Sequence, residues 1–198
     1  MRYIILFLIV LFIGCRDNKS YTIKGSVPES SFNGEYVYMI PMDNYTRGRG
    51  DSALISDSCF VFKGKADSAQ IYILRLQKSL SSFELQDILL VREAGEIQVK
   101  FMERSVVGGT ALNDSLQKYK QRKESYDDQY FNLSNRISKA DSLERKVLSV
   151  KSDSLKKESM NYHFNFAKRN SGNIVGKLVK RIMGTSFTEK QKNELGIK

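Results

Sequence analysis

The chain has 198 residues, with 32 Lys or Arg against 22 Asp or Glu and a formal net charge of +10. Ten Tyr and eleven Phe supply ample material for a packed core and exclude a disordered composition, although Trp is absent. Two cysteines and a single histidine leave little from which to build a disulfide framework or a thiolate–imidazole metal site.

In chain order, the first element is Arg2 followed by an unbroken apolar run from Tyr3 to Ile13. As a helix this run would rise roughly 16 Å, about half the hydrocarbon thickness of a bilayer, so it is too short to span one. A positive residue ahead of a short apolar stretch that ends in a small residue is the pattern of a secretory signal peptide. Phe12-Ile13-Gly14-Cys15 resembles the lipobox of bacterial lipoproteins, with Phe12 where such boxes more often carry Leu. The resemblance implies that residues 1–14 are removed and that Cys15 becomes the lipidated N-terminus, a membrane partner through its acyl chains. Each buried methylene adds about 0.8 kcal/mol, so two or three chains hold a protein on a bilayer almost permanently. Residues 15–20 then form a tether. At about 3.5 Å per residue it keeps the folded part within roughly 18 Å of the lipid surface. Arg16 rather than Asp after the lipidated Cys resembles the signal for release to the outer membrane, facing the periplasm.

Residues 21–107 read as β-structure. "YTIKGSV" and "EYVYMI" are rich in β-branched and aromatic residues, and Asn33-Gly34 between them is a strong turn signal. "ALIS", "CFVFKG", "IYILRL", "DILLVRE" and "EIQVKF" follow, the last two joined by Glu93-Ala94-Gly95-Glu96, which reads as a short hairpin connection with Gly95 left-handed. About seven short strands with frequent turns point to an antiparallel sandwich or an open barrel.

Residues 108–198 change period. Leu112, Leu116, Tyr119, Tyr126, Tyr130, Leu133 and Ile137 follow a 4,3 repeat that only Lys123 interrupts, predicting one long amphipathic helix. Ser138 with Asp141 resembles a capping box that starts a second helix, running through Leu143, Val147, Leu155, Tyr162 and Phe166 toward Asn170. The two are expected to fold back as a hairpin. Ile174 to Met183 predicts a third helix stopping at Gly184, and Thr188 with Gln191 could cap a short fourth. The fold class is therefore α+β.

Charge separates these halves: residues 15–107 carry 12 basic against 12 acidic side chains, and residues 108–198 carry 19 against 10. Nucleic acid is the usual partner of a basic surface, but an exported protein rarely meets it, so anionic headgroups or an acidic envelope protein fit better. The residues that would form such a surface are Lys118, Lys120, Arg122, Lys123, Lys156, Lys157, Lys168, Arg169, Lys177, Lys180 and Arg181, set against the simpler reading of solvated helix faces. With Cys15 lipidated, Cys59 has no intramolecular partner; on a strand beside Val61 it reads as a core or half-buried thiol, against a reactive or dimer-forming one. His163 in "NYHFNF" reads as a packing or surface histidine, and no metal or cofactor is expected. "SGNIVGKL" fails as a phosphate loop, because Leu178 replaces the hydroxyl residue that would hold magnesium. Arg49-Gly50-Asp51 spells an adhesion tripeptide, a match short enough to arise by chance.

"YTIKGSV", "NGEYVYMI", "DSALISDSCFVFKGK" and "VVGGTALNDSLQKY" resemble, in order and spacing, the N-terminal β-domain of unassigned function of Bacteroides-type envelope lipoproteins, with a looser likeness through "NSGNIVGKLVKRI". Asp57-Ser58-Cys59 stands where that family usually shows a Gly-containing turn. The family implies a following thioredoxin-like oxidoreductase domain; the sequence contains no Cys-x-x-Cys, so no position here carries that activity. The expectation is a non-catalytic envelope lipoprotein acting as an interaction or binding module near the membrane. Two alternatives stay open: an accessory component working with a separate thioredoxin-like protein, and a scaffold docking anionic headgroups through its basic helices.

Overall fold

The structure is a computed structural model describing residues 19–44, 50–77 and 87–197. The signal segment, Cys15 and Arg49 lie outside the described residues. Eight strands come first: β1 (Ser20–Ser26), β2 (Tyr36–Pro41), β3 (Asp51–Leu54), β4 (Cys59–Lys65), β5 (Gln70–Leu76), β6 (Ile88–Arg92), β7 (Gly95–Lys100) and β8 (Val106–Gly108). They form two four-stranded sheets, ordered β4-β1-β7-β8 and β3-β2-β5-β6. Every ladder is antiparallel except β1 with β7, where Tyr21 pairs with Gly95 and Ser26 with Lys100 in parallel. Four helices follow: α1 (Ala111–Lys139), α2 (Ser142–Arg169), α3 (Ile174–Met183) and α4 (Glu189–Leu195). The molecule is thus α+β, a sandwich followed by a helical hairpin and two short helices.

Strand alternation assigns the layers. Tyr21, Ile23, Phe60, Phe62, Ile97 and Val99 face Val37, Met39, Leu74, Leu76, Ile88 and Leu90 across the sandwich interior. The outer face of the first sheet is polar, with Lys24 and Glu96 paired across β1 and β7 at 2.8 Å. The second sheet is covered on both sides along β5 and β6, whereas Tyr36 of β2 and Leu54 of β3 stay exposed on its outer face. Ile71, Leu89 and Val91 point outward into a second core with Leu116, Tyr119, Phe166, Val175 and Leu178 of the helices. A strand buried on both faces has no polar side to alternate, and β6 therefore reads as the apolar run "ILLV".

Both expected turns exist, but they connect different strands from those a hairpin would join. Gly34 has φ +87° and Gly95 φ +124°, conformations open to glycine. Asn33-Gly34 nevertheless carries the chain from β1 in one sheet to β2 in the other, and Glu93 to Glu96 carries it from β6 to β7 across the same gap. A two-residue reversal forms at Asp57-Ser58, which carries the chain from β3 of the second sheet to β4 of the first. Both residues have positive φ, 51° and 57°, and Ser56 and Cys59 exchange two backbone hydrogen bonds at 2.9 Å, as in a type I′ turn. Asn33 Oδ1 accepts from Ser58 N at 2.8 Å and holds it there.

The start of α2 shifts from Ser138 to Asp141, whose carboxylate accepts from the Leu143 and Glu144 amides at 2.9 Å; Ser138 donates back to the Asn135 carbonyl within α1. Its buried face also differs from the expected one. Leu148, Leu155, Ser159, His163 and Phe166 turn inward, whereas Leu143 and Val147 are 74% and 52% exposed. Gly184 ends α3, and the Thr188–Gln191 capping box that opens α4 is formed in both directions.

Candidate functional site

The motif "VVGGTALNDSLQKY" proves to be architectural. Gly109, at φ +95°, turns β8 into α1, and its amide donates to Asp114 Oδ1 at 2.9 Å. Asn113 is fully buried against edge strand β6: Oδ1 accepts from Val91 N at 2.8 Å while Nδ2 donates to Val91 O at 2.7 Å and to Thr110 Oγ1 at 2.8 Å. One turn later Gln117 Oε1 accepts from Val107 N on β8 at 3.0 Å. Two side chains of one helix thus substitute for a neighbouring strand on an edge of each sheet, which an apolar seam could not do.

"NSGNIVGKL" is likewise a cap and a close crossing. Asn173 Oδ1 accepts from Val175 N and Gly176 N at 3.0 Å, and a Cβ on Gly176 would collide with the Asn170 carbonyl. Both sequence resemblances are thereby explained by packing.

His163 packs among Tyr119, Tyr126 and Tyr162, with Nε2 3.2 Å from Ser159 Oγ. Burial, reinforced by the charge of Lys123 and opposed by Asp127, holds its pKa below the ordinary histidine value. Tyr119 beside it is pushed far up by burial, and its hydroxyl has no hydrogen-bond partner among the described residues. No group of three or more His, Cys, Asp or Glu that could hold a metal occurs among the described residues. Cys59 is exposed rather than in the core: it begins edge strand β4 on the outward register with Val61 and Lys63, while Phe60 and Phe62 turn in. Of the adhesion tripeptide, Gly50 and Asp51 belong to the approach to β3, where a Cβ on Gly50 would strike the Met39 backbone.

The basic residues do not gather into one patch. Lys120 donates to the Ser105 carbonyl at 2.6 Å, Lys180 to the Leu195 carbonyl at 2.7 Å, and Lys123 to Asp127 at 2.6 Å. Arg122 lies over the Tyr126 ring and bonds Glu158 at 3.0 Å, Lys168 bonds Glu194 at 2.9 Å, and Arg181 bonds Asp43 at 2.6 Å. Lys118, Lys156, Lys157, Arg169 and Lys177 have no such partner among the described residues, but they come from three helices. Lys157 and Arg169 alone stand about 18 Å apart along α2.

Two surfaces remain that the fold itself does not need. The first is a cavity of about 470 Å³ at the seam between the second sheet and α3. Ile71, Tyr72, Ile174 and Leu178 form its apolar walls, and Lys177, Arg181 and Asp43 supply the charges. It lies at the base of the sandwich, the end where Arg92 of β6 spans Tyr21 of one sheet and Tyr72 of the other at 5.7 and 4.5 Å from the ring centroids. The first described residue, Lys19, is at this end too.

The second surface is the α1–α2 hairpin. Helix α1 starts at the base, where Thr110 lies beside Gly95, runs antiparallel to β8, and is clamped at the far end by Arg104, which grips Asp128 with two bonds of 2.8 Å. Eleven further residues carry it about 17 Å beyond that clamp before it turns. Glu158 ties the returning helix, accepting from Tyr126 Oη at 2.9 Å and from Arg122. On this arm Leu143, Val147 and Val150 are 74%, 52% and 69% exposed at i, i+4 and i+7, one continuous helix face. Phe131 on α1 is 67% exposed. No helix among the described residues is long and apolar enough to cross a membrane.

Residues 21–116 match the model of a family described as a domain of unknown function, DUF4369, so this part of the chain carries that domain. The match begins in β1 and ends at Leu116, taking in Asn113 and stopping one residue before Gln117. No curated protein and no solved structure matches the chain.

Proposed function

We propose that the protein is a non-catalytic, lipid-anchored interaction module of the cell envelope, in which the sandwich stands on the membrane and the helical arm offers an apolar face to a protein partner. The observation that carries this reading is the exposed run Leu143, Val147 and Val150 on an arm braced by Arg104–Asp128. Isolated apolar residues are common on surfaces, but three at helical spacing form a continuous exposed face, on an arm that Arg136 and Glu144 also tie at its tip. The lipobox-like Phe12 to Cys15 supplies the anchor, with its tether reaching the described chain at Lys19 on the base. Helix α1 rises about 42 Å from that end, so the arm's apolar face stands well away from the anchored membrane, within reach of other envelope proteins. A protein partner is favoured over a headgroup scaffold because six of the eleven basic residues make internal bonds and the other five come from three helices, so they form no single basic face.

Two measurements test this. Metabolic labelling with a fatty acid should mark the wild type and not Cys15→Ala; equal labelling removes the anchor. Photo-crosslinking side chains placed at 147 and 150 in intact cells should give discrete protein adducts, while the same probe at Lys63, on the polar outer sheet face, should not. Identical adduct patterns at both faces would refute the arm as the docking surface.

A further inference from the structure

We infer that the seam cavity is a binding site for an anionic amphiphile, an alkyl chain ending in a carboxylate or a phosphate. At about 470 Å³ the cavity falls within the size range of small-molecule sites, and it combines the two surfaces such a ligand needs. Ile71 and Tyr72 of β5 face Ile174 and Leu178 of α3 as apolar walls for a chain. Lys177 and Arg181, one helical turn apart on α3, place two cationic heads on the same cavity. Lys177 has no hydrogen-bond or ion-pair partner among the described residues. Arg181 meets Asp43 through one nitrogen, Nη1 at 2.6 Å, which leaves most of its five donors available to a second anion. Asp43 is 86% exposed, so water can solvate it if the ligand takes over the guanidinium. A cationic ligand would find only this one carboxylate, already paired.

The walls come from both parts of the molecule, β5 within the matched domain and α3 beyond it, so an occupant would bridge the seam between them. The site lies at the opposite end from the arm and does not depend on the arm's role.

The test uses the full chain reconstituted in phosphatidylcholine nanodiscs with trace amounts of a diazirine-bearing fatty acid, phosphatidic acid or phosphatidylcholine. After illumination, adducts are mapped by mass spectrometry. Adducts should concentrate on the peptides holding Ile71–Tyr72 and Ile174–Leu178 for either anionic probe, and which of the two labels more strongly identifies the source of the head. Lys177→Glu, at an exposed position, should lower this labelling at least tenfold with the melting temperature unchanged, and Ile174→Trp should block it by filling the cavity. Equal labelling of these peptides by phosphatidylcholine, no adducts there with either anionic probe, or labelling indifferent to Lys177→Glu would overturn the assignment.

Discussion

Replacing Asn113 by Ala should be among the most destabilising single changes in the molecule. The side chain makes three hydrogen bonds, two of them to the backbone of Val91, and both residues are fully buried. Truncation leaves the Val91 N–H and C=O without partners where water does not reach. At about 1–3 kcal/mol for each orphaned group, the loss comes to roughly 4 kcal/mol. A domain of this size shifts its Tm by about 2–4 °C per kcal/mol, so the transition should fall by about 8–16 °C. Asn113→Asp should be at least as costly at neutral pH, because it sets a buried carboxylate oxygen against the Val91 carbonyl. Thermal melts followed by circular dichroism give the magnitude, and hydrogen exchange at the Val91 amide gives the location. A Tm change under 2 °C for Asn113→Ala, with Val91 still protected, would refute the role of this side chain as a surrogate strand.

Three further outcomes follow from the geometry. His163 has a folded pKa below its unfolded value near 6.5, so its contribution is present above that pH and is lost as pH falls toward the folded pKa; the wild type should lose more stability between pH 7.5 and 5 than His163→Phe does, read from urea midpoints. Ser58→Gly removes a side chain from a left-handed position and should stabilise by about 0.5–1 kcal/mol, seen as a raised urea midpoint at unchanged slope. Gly176→Ala drives a methyl into the Asn170 carbonyl and should cost about 1–3 kcal/mol, whereas Gly172→Ala, with open space around it, should be close to neutral in the same melt.

The two-part plan, the long first helix and the capping box at Thr188 were legible because each is written in local periodicity or a three-residue spacing. Sheet membership was not. Asn33-Gly34 and Gly95 announce reversals of the chain, but the same φ serves a hairpin and a crossing between sheets, and only the partner strands decide which. Strand alternation puts Cys59 on one face with Val61 and Lys63, yet whether that face meets a core or solvent depends on what packs over the sheet. The helices cover the other sheet instead. The apolar spacing of Leu143 and Val147 looks like a buried seam, and it misleads because an exposed apolar face and a buried one obey the same 3.6-residue period. Asn113 and Gln117 carried the opposite signal: polar residues on an inward helix face, interpretable only once a strand edge is known to lie opposite.

The parallel pairing of β1 with β7 has a consequence for biogenesis. Strand β1 is the first to be synthesised, yet it sits in the interior of its sheet, between β4 and a strand about 75 residues downstream. Closing so large a loop is slow, and until residues 59–100 have emerged both flanks of β1 lie unsatisfied. The nascent segment is thus obliged to wait in an aggregation-prone state, and chaperones that mask exposed strand flanks should govern its yield.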